Sequence, residues 1–95
     1  MAYLLDCVID DVEVRGIGGG VSKKGNDFKT IRCEDREGRD FEISCTNDDL
    51  FSSVSALRKG DMITARVLAV STPKRSYISL AGSPIVKGNS YEGGF

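Results

Sequence analysis

Basic and aromatic side chains are interleaved in the stretch that contains Lys23, Lys24, Phe28, Lys29 and Arg32. Single-stranded nucleic acid is held by cations that contact its phosphates and by flat rings on which its bases stack. Each stacked base contributes on the order of 1–3 kcal/mol, so two or three exposed rings add substantially to the affinity. The stretch therefore predicts a surface that contacts a single strand.

Two further aromatic residues lie beside basic ones. Phe41 follows Arg39, and Tyr77 follows the pair Lys74-Arg75. Aromatic rings also dominate small cores, so the sequence leaves open whether Phe28 and Phe41 stack on bases or pack inside. Phe51 is assigned to the core. The candidate nucleic-acid-binding residues are Lys23, Lys24, Phe28, Lys29, Arg32, Phe41, Lys74, Arg75 and Tyr77.

The net charge of −1 conceals an uneven distribution. Residues 15–32 hold five bases and one acid, and residues 52–75 again hold five bases and one acid. The acidic residues concentrate in 1–14 and 33–51. A chain that is nearly neutral overall can still present a basic groove if its two basic segments meet in space.

Catalytic chemistry is not expected. The chain has no His, which is the commonest general base and metal ligand. Neither a Walker phosphate loop nor the Gly-x-Gly-x-x-Gly dinucleotide pattern is present, since Val21 stands where a third glycine belongs. Asp10 and Asp11, as neighbours on a strand, should point to opposite faces and not share an ion. The sequence predicts no enzyme, no cofactor, no metal site and no small-molecule substrate.

The three cysteines, Cys7, Cys33 and Cys45, are widely spaced and cannot all pair. We expect them to be small buried hydrophobic side chains. With no signal peptide and no membrane-length apolar run, they indicate a reducing cytoplasm.

Alternating apolar residues predict five strands: Leu5–Val14, Phe28–Cys33, Phe41–Cys45, Met62–Val70 and Tyr77–Ala81. The first strand has a phase slip at Asp10-Asp11 that is typical of a β-bulge. The glycine-rich run 16–20 should break regular structure, either as a mobile binding loop or as a mere connector. Between the third and fourth strands, Leu50, Val54 and Leu57 have helical spacing, with Asn47, Asp48 or Asp49 as the cap.

This inventory predicts an all-β chain, a five-stranded OB-fold-type small barrel with a short helical turn between strands 3 and 4. An SH3-like barrel is the alternative, and it usually lacks the element between strands 3 and 4. Residues 1–87 should form the single domain and residues 88–95 a flexible C-terminal tail.

The run from Gly20 to Phe28, Gly-Val-Ser-Lys-Lys-Gly-Asn-Asp-Phe, resembles a loop of the filamentous-phage gene V proteins. The similarity continues at lower specificity through Cys33 and the hairpin that contains Gly38 and Phe41. The resemblance implies a homodimeric OB-type protein that coats single-stranded DNA during phage replication. By position, Lys23 matches a phosphate contact, Phe28 a stacking ring, and Phe41 a ring in DNA or protein contact.

The leading hypothesis is a sequence-tolerant single-stranded-DNA-binding protein of a phage or mobile element, in the cytoplasm of a bacterial host. An OB-type adaptor that binds protein through the same face or an edge strand is the alternative, because Asp40 and Glu42 would repel phosphate. RNA binding is a third possibility, since stacking does not distinguish the sugars.

Overall fold

Strands account for most of the computed structural model, which describes residues 3–89 of the chain. A 3₁₀ turn, Asp48–Leu50, leads into the short helix α1, Phe51–Ser55. The strands are β1 Tyr3–Val21, β2 Asp27–Glu34, β3 Asp40–Cys45, β4 Asp61–Ser71, β5 Ser76–Leu80 and β6 Ile85–Asn89. The prediction of an all-β chain is confirmed, as is the helical turn between the third and fourth strands.

Five of the six strands pair in a ring. The order is β1-β2-β3-β5-β4, and β4 pairs back onto β1. All neighbours are antiparallel except β3 and β5, which run parallel with Ser44 opposite Ser79. The sixth strand, β6, pairs with the beginning of β4 outside the ring.

The strand β1 is 19 residues long and closes the ring because its two halves pair with different neighbours. Its first half pairs with β4 from Tyr3 to Glu13, and its second half pairs with β2 from Glu13 to Val21. The predicted bulge is present: the register shifts between Ile9 and Val12, and Asp11 has a φ of 55°.

The glycine-rich run does not break regular structure, so that prediction is wrong. Residues 16–20 continue β1 and pair with β2 in register. The reason is close backbone approach: a Cβ placed on Gly19 would lie 2.6 Å from the carbonyl oxygen of Phe28. Glycine is used here because the two backbones leave no room for a side chain.

The core occupies the inside of the ring, and the alternation predicted it correctly. The inward residues of β2 and β3, which are Ile31, Cys33, Ile43 and Cys45, are at most 1% exposed. Val14, Ile63 and Val67 complete the centre, and Val54 of α1 covers one end. Phe51 packs against this cluster, as expected.

Polar contacts fix the 3₁₀ turn before α1 and the end of β6. The side chain of Asn47 caps the 3₁₀ turn by accepting from the Asp49 N–H. The buried carboxylate of Asp61 accepts from the Arg58 N–H at 2.8 Å and from Asn89 Nδ2 at 2.7 Å. Because a buried carboxylate needs such partners, this contact ties β6 to the start of β4.

The strand β6 includes Gly88 and Asn89, two residues that the sequence assigned to the tail. The rest of the predicted tail, residues 90–95, lies outside the described residues. Across residues 3–89, none of the helices has both the length and the apolar character that a membrane span requires.

Candidate nucleic-acid interface

The outward side chains of the second half of β1, β2, β3 and β5 form one continuous surface, here called the outer face. Register and alternation place its members in rows that cross the strands. One row runs through Gly18, Thr30, Ser44 and Ser79, and the next through Gly16, Arg32, Glu42 and Tyr77. Phe28 lies at one end of the face, opposite Gly20.

The β1 side of the outer face has no side chains, because its outward residues are Gly16, Gly18 and Gly20. A Cβ placed on Gly20 would lie 3.5 Å from Cζ of Phe28, so the ring lies across that glycine. Phe28 is half-buried and is not among the residues that pack in or against the core. A flat ring on a side-chain-free strand can offer a face to a base.

The turn after β1 places two lysines beyond Phe28. Ser22 and Asn26 close the turn: the Ser22 N–H donates to the Asn26 carbonyl at 2.8 Å. The Gly25 N–H donates to the Ser22 carbonyl, and Gly25 has a φ of 84°, which favours glycine. Lys23 and Lys24 therefore occupy the two central positions of a tight turn, with both side chains exposed.

Tyr77 marks the opposite end of the outer face. It is 38% exposed, and the guanidinium of Arg75 lies 5.0 Å from its ring centroid. Such a cation–π contact holds the ring and the charge together. The turn before β5 is closed by Thr72, whose Oγ1 accepts from the Arg75 N–H. Lys74 is exposed in the same turn.

The two basic turns lie at opposite ends of β1, since Tyr3 pairs with Ser71 at one end and Val21 pairs with Asp27 at the other. The two basic segments of the sequence therefore do not merge into a single patch. They border the outer face at its two ends. From strand spacing, the Cα atoms of Phe28 and Tyr77 are about 16 Å apart.

Ion pairing distinguishes most of the other bases from the candidate bases. Within residues 3–89, five basic residues form ion pairs with nearby acids: Arg15, Arg36, Arg39, Arg66 and Lys87. None of the six candidate bases does so across the same residues. Lys29 and Arg75 instead contact rings, and Lys23, Lys24, Arg32 and Lys74 have no ion-pair partner there. The charges that remain available to an external anion are thus largely the predicted ones.

Two candidates do not lie on the outer face. Lys29 points to the inner side of β2, where its Nζ lies 5.7 Å from the ring centroid of Phe51. Phe41 shares the inner side of β3 with Ile43 and packs against the core. The structure brings together Phe28, Arg32, Arg75 and Tyr77, with Lys23, Lys24 and Lys74 at the borders.

Acidic side chains occupy part of the outer face. In the register of β2 and β3, Glu34 lies opposite Asp40 and Arg32 lies opposite Glu42. These three acids make no ion pair within the described part of the chain. They lie at the end of the face that holds Tyr77, and Glu42 and Tyr77 line one shared groove.

The acidic pair at the bulge has a different role. The carboxylates of Asp10 and Asp11 both lie 3.0 Å from Nζ of Lys87, so the expectation that they point apart is wrong. The positive φ of Asp11 turns its side chain to the same side. Hydrogen bonds from Thr64 and then Lys87 lower the pKa of Asp10. The cation they share is an ammonium of the chain itself.

Burial raises the pKa of the Cys33 thiol to about 12, and burial also raises the pKa of Cys45. Both thiols therefore stay protonated at neutral pH and behave as small apolar side chains, as expected. Cys7 is half-buried. No cluster of three or more metal-ligating side chains occurs among residues 3–89.

Sequence reasoning missed the glycine positions of the outer face. Gly16, Gly18 and Gly20 recur at a period of two, which is a strand pattern, and that signal was available. Thr30, Ser44 and Ser79 carry no local signal, because only the pairing of β3 with β5 aligns them.

Comparisons with models of protein families, with curated proteins and with solved structures give no match.

Proposed function

We propose that this chain is a sequence-tolerant single-stranded-DNA-binding protein, which coats single-stranded DNA during the replication of a phage or mobile element in the cytoplasm of its bacterial host. The observation that carries the proposal is the outer face, where Phe28 lies across Gly20 and basic turns border both ends. The homodimer that the gene V resemblance implies is part of the proposal.

The fold supports it by its connectivity. A ring of five strands in the order β1-β2-β3-β5-β4, with a helix between β3 and β4, supports an assignment to the five-stranded OB-fold. In that fold the surface of the middle strands and the neighbouring loops binds oligonucleotides. We propose that the ring is an OB-fold-type small barrel and that the outer face is its ligand surface.

The residues have separate roles. Phe28 and Tyr77 stack on bases, while Lys23, Lys24, Arg32, Lys74 and Arg75 contact phosphates. The polar row of Thr30, Ser44 and Ser79 lies between the rings and offers hydroxyl groups to the strand. None of these groups reads one base only, which is why the binding is sequence-tolerant.

Fluorescence anisotropy with labelled oligo-dT tests the proposal. The affinity should fall with salt with a log–log slope of about −0.7 for each phosphate neutralised. Lys23→Glu and Lys24→Glu should each weaken binding and flatten that slope. Lys59→Glu is the matched control, since Lys59 is also exposed but lies in the turn between α1 and β4.

Absence of binding at low salt, or equal effects of Lys24→Glu and Lys59→Glu, would refute the proposal. Competition between DNA and RNA oligomers of the same sequence decides between the two sugars.

A protein-binding adaptor is the second candidate, and the acids Glu34, Asp40 and Glu42 on the outer face favour it. In that case the outer face would bind a basic partner instead of phosphate, and oligo-dT binding would be absent with or without these acids.

A further inference from the structure

The first half of β1 has one paired edge and one free edge. Residues from Tyr3 to Ile9 pair with β4, whereas the pairing with β2 begins only at Glu13. The opposite edge of this segment is left without a strand partner in the described chain. Its backbone N–H and C=O groups can therefore pair with an added strand.

This segment is apolar on both of its faces. Tyr3, Leu4, Leu5 and Val8 are each 63–68% exposed, and successive residues of a strand point to opposite faces. Together these residues leave on the order of 500 Å² in solvent, divided between the two faces of the strand, which is the size of the largest apolar patch on a typical monomer. A groove of about 650 Å³ opens beside it, lined by Phe41, Tyr77 and Ile78 among others.

The free edge also carries no net charge. Asp6 is the one charged residue from Tyr3 to Ile9, and Arg66 binds its carboxylate through two hydrogen bonds of 3.0 and 2.5 Å. Lys and Pro, which proteins use to protect an edge, are absent from this segment. The free edge of β6 differs, because Pro84 precedes it and it contains Lys87 and Gly88.

We infer that two copies of this chain pair antiparallel along their free β1 edges, from Tyr3 to Ile9, to form one continuous sheet. A second copy presents the same neutral edge with the same apolar faces, and a two-fold arrangement closes at two chains. Pairing that covers these side chains on both copies would bury about 1,000 Å² in total, which is the least that a specific interface needs. The bulge at Asp10-Asp11 ends the paired segment.

The free edge of β1 would then be the interface of the homodimer, and this rests on the homodimer in the proposed function. It does not depend on whether DNA is the ligand. The oligomeric state and DNA binding are therefore measured separately.

The test is the mass in solution by light scattering over a roughly hundredfold range of concentration. The wild type should reach twice the chain mass of 10.3 kDa. Leu4→Lys with Val8→Lys should raise the dimer dissociation constant about tenfold or more, since it places like charges against each other across the edge. Both side chains are about two-thirds exposed, so the core is left intact.

Ile85→Lys with Val86→Lys is the matched control, because these residues are 65% and 49% exposed on the protected edge of β6. This control should stay dimeric, and circular dichroism should show the same strand content in all three proteins. A monomeric wild type, or a dimer that the β1 variant leaves intact, would overturn the inference. A dimeric wild type that does not bind oligo-dT would refute the DNA proposal alone.

Discussion

The two ends of the outer face carry the same kinds of side chain in different electrostatic surroundings. At one end Phe28 lies below the turn of Lys23 and Lys24, and no outward strand residue there is acidic. At the other end Tyr77 lies beside Arg75, in the same row as Glu42 and near Asp40. Each end thus has one ring and at least two bases, since Arg32 also lies in the Tyr77 row. The Tyr77 end has outward acids, whereas the exposed acid at the Phe28 end, Asp27, alternates to the other side of β2.

This difference indicates that a ring and a pair of bases are not sufficient to define a contact. A phosphate near Tyr77 meets an exposed carboxylate at similar range to an exposed guanidinium, so much of the attraction is cancelled. A phosphate near Lys23 and Lys24 meets no acid on the outer face, because the nearby Asp27 points to the other side of β2. We therefore expect the Phe28 end to contribute most of the affinity for a single strand.

The largest change in oligo-dT affinity is expected from removing the ring at either end of the outer face. Phe28→Ala should weaken oligo-dT binding by about 1–3 kcal/mol, which is roughly 5- to 150-fold. Tyr77→Ala should weaken it less, because the acids around Tyr77 keep phosphates at a distance. Anisotropy titrations at one low salt concentration measure both.

Phe51→Leu gives the control for an aromatic change in the core, since Phe51 packs inside. It should lower the stability and leave the affinity of the folded protein unchanged. If Tyr77→Ala costs as much as Phe28→Ala, the two ends contribute equally and the electrostatic argument is wrong.

Much of the fold followed from alternation in the sequence. Alternation predicted one inward set in β2 and β3, because every second residue of a strand with one buried face points into the core. This set is Ile31, Cys33, Ile43 and Cys45. The glycine run was misjudged, because glycine is rare inside strands unless another backbone comes close, and that approach is a tertiary fact. Local propensity does not reveal that Phe28 O lies where a Cβ of residue 19 would be.

The site was predictable to a smaller extent. The sequence predicted that Lys23, Lys24 and Phe28 lie close together, because a turn and the outward strand residue that follows it are neighbours in sequence. The inward direction of Phe41 also followed its own alternation with Ile43. The position of Tyr77 relative to Glu42 depends on the parallel pairing of β3 and β5, which joins residues 35 positions apart.

The glycines of β1 allow a second test of the comparison, through backbone packing at the Phe28 end. Gly19→Ala should destabilise the protein by about 1–3 kcal/mol, because its Cβ would lie 2.6 Å from a backbone oxygen that must shift. Urea unfolding measures this. Gly16→Ala is the control, since nothing lies within 4 Å of a Cβ there, and it should be nearly neutral.

The folded fraction of Gly19→Ala should also bind oligo-dT more weakly, because the shift moves Phe28 itself. Equal stability of the two glycine variants would show that β1 and β2 adjust without cost, and that Phe28 is not held by the close approach.

The acids at the Tyr77 end provide the smallest and most specific test. Asp40→Asn with Glu42→Gln should strengthen oligo-dT binding about two- to fivefold at low salt, because exposed charges interact by less than about 1 kcal/mol each. The gain should shrink as salt rises, since screening weakens the repulsion that was removed. Asp48→Asn with Asp49→Asn removes the same number of charges ahead of α1, off the outer face, and should change the affinity less.

In the Asp40 and Glu42 variant, Tyr77→Ala should then weaken oligo-dT binding more than it does in the wild type, since a phosphate can approach the ring. If instead Tyr77→Ala weakens oligo-dT binding equally with and without the acids, the acids do not cause the difference between the two ends. The geometry of the Tyr77 ring must then cause it.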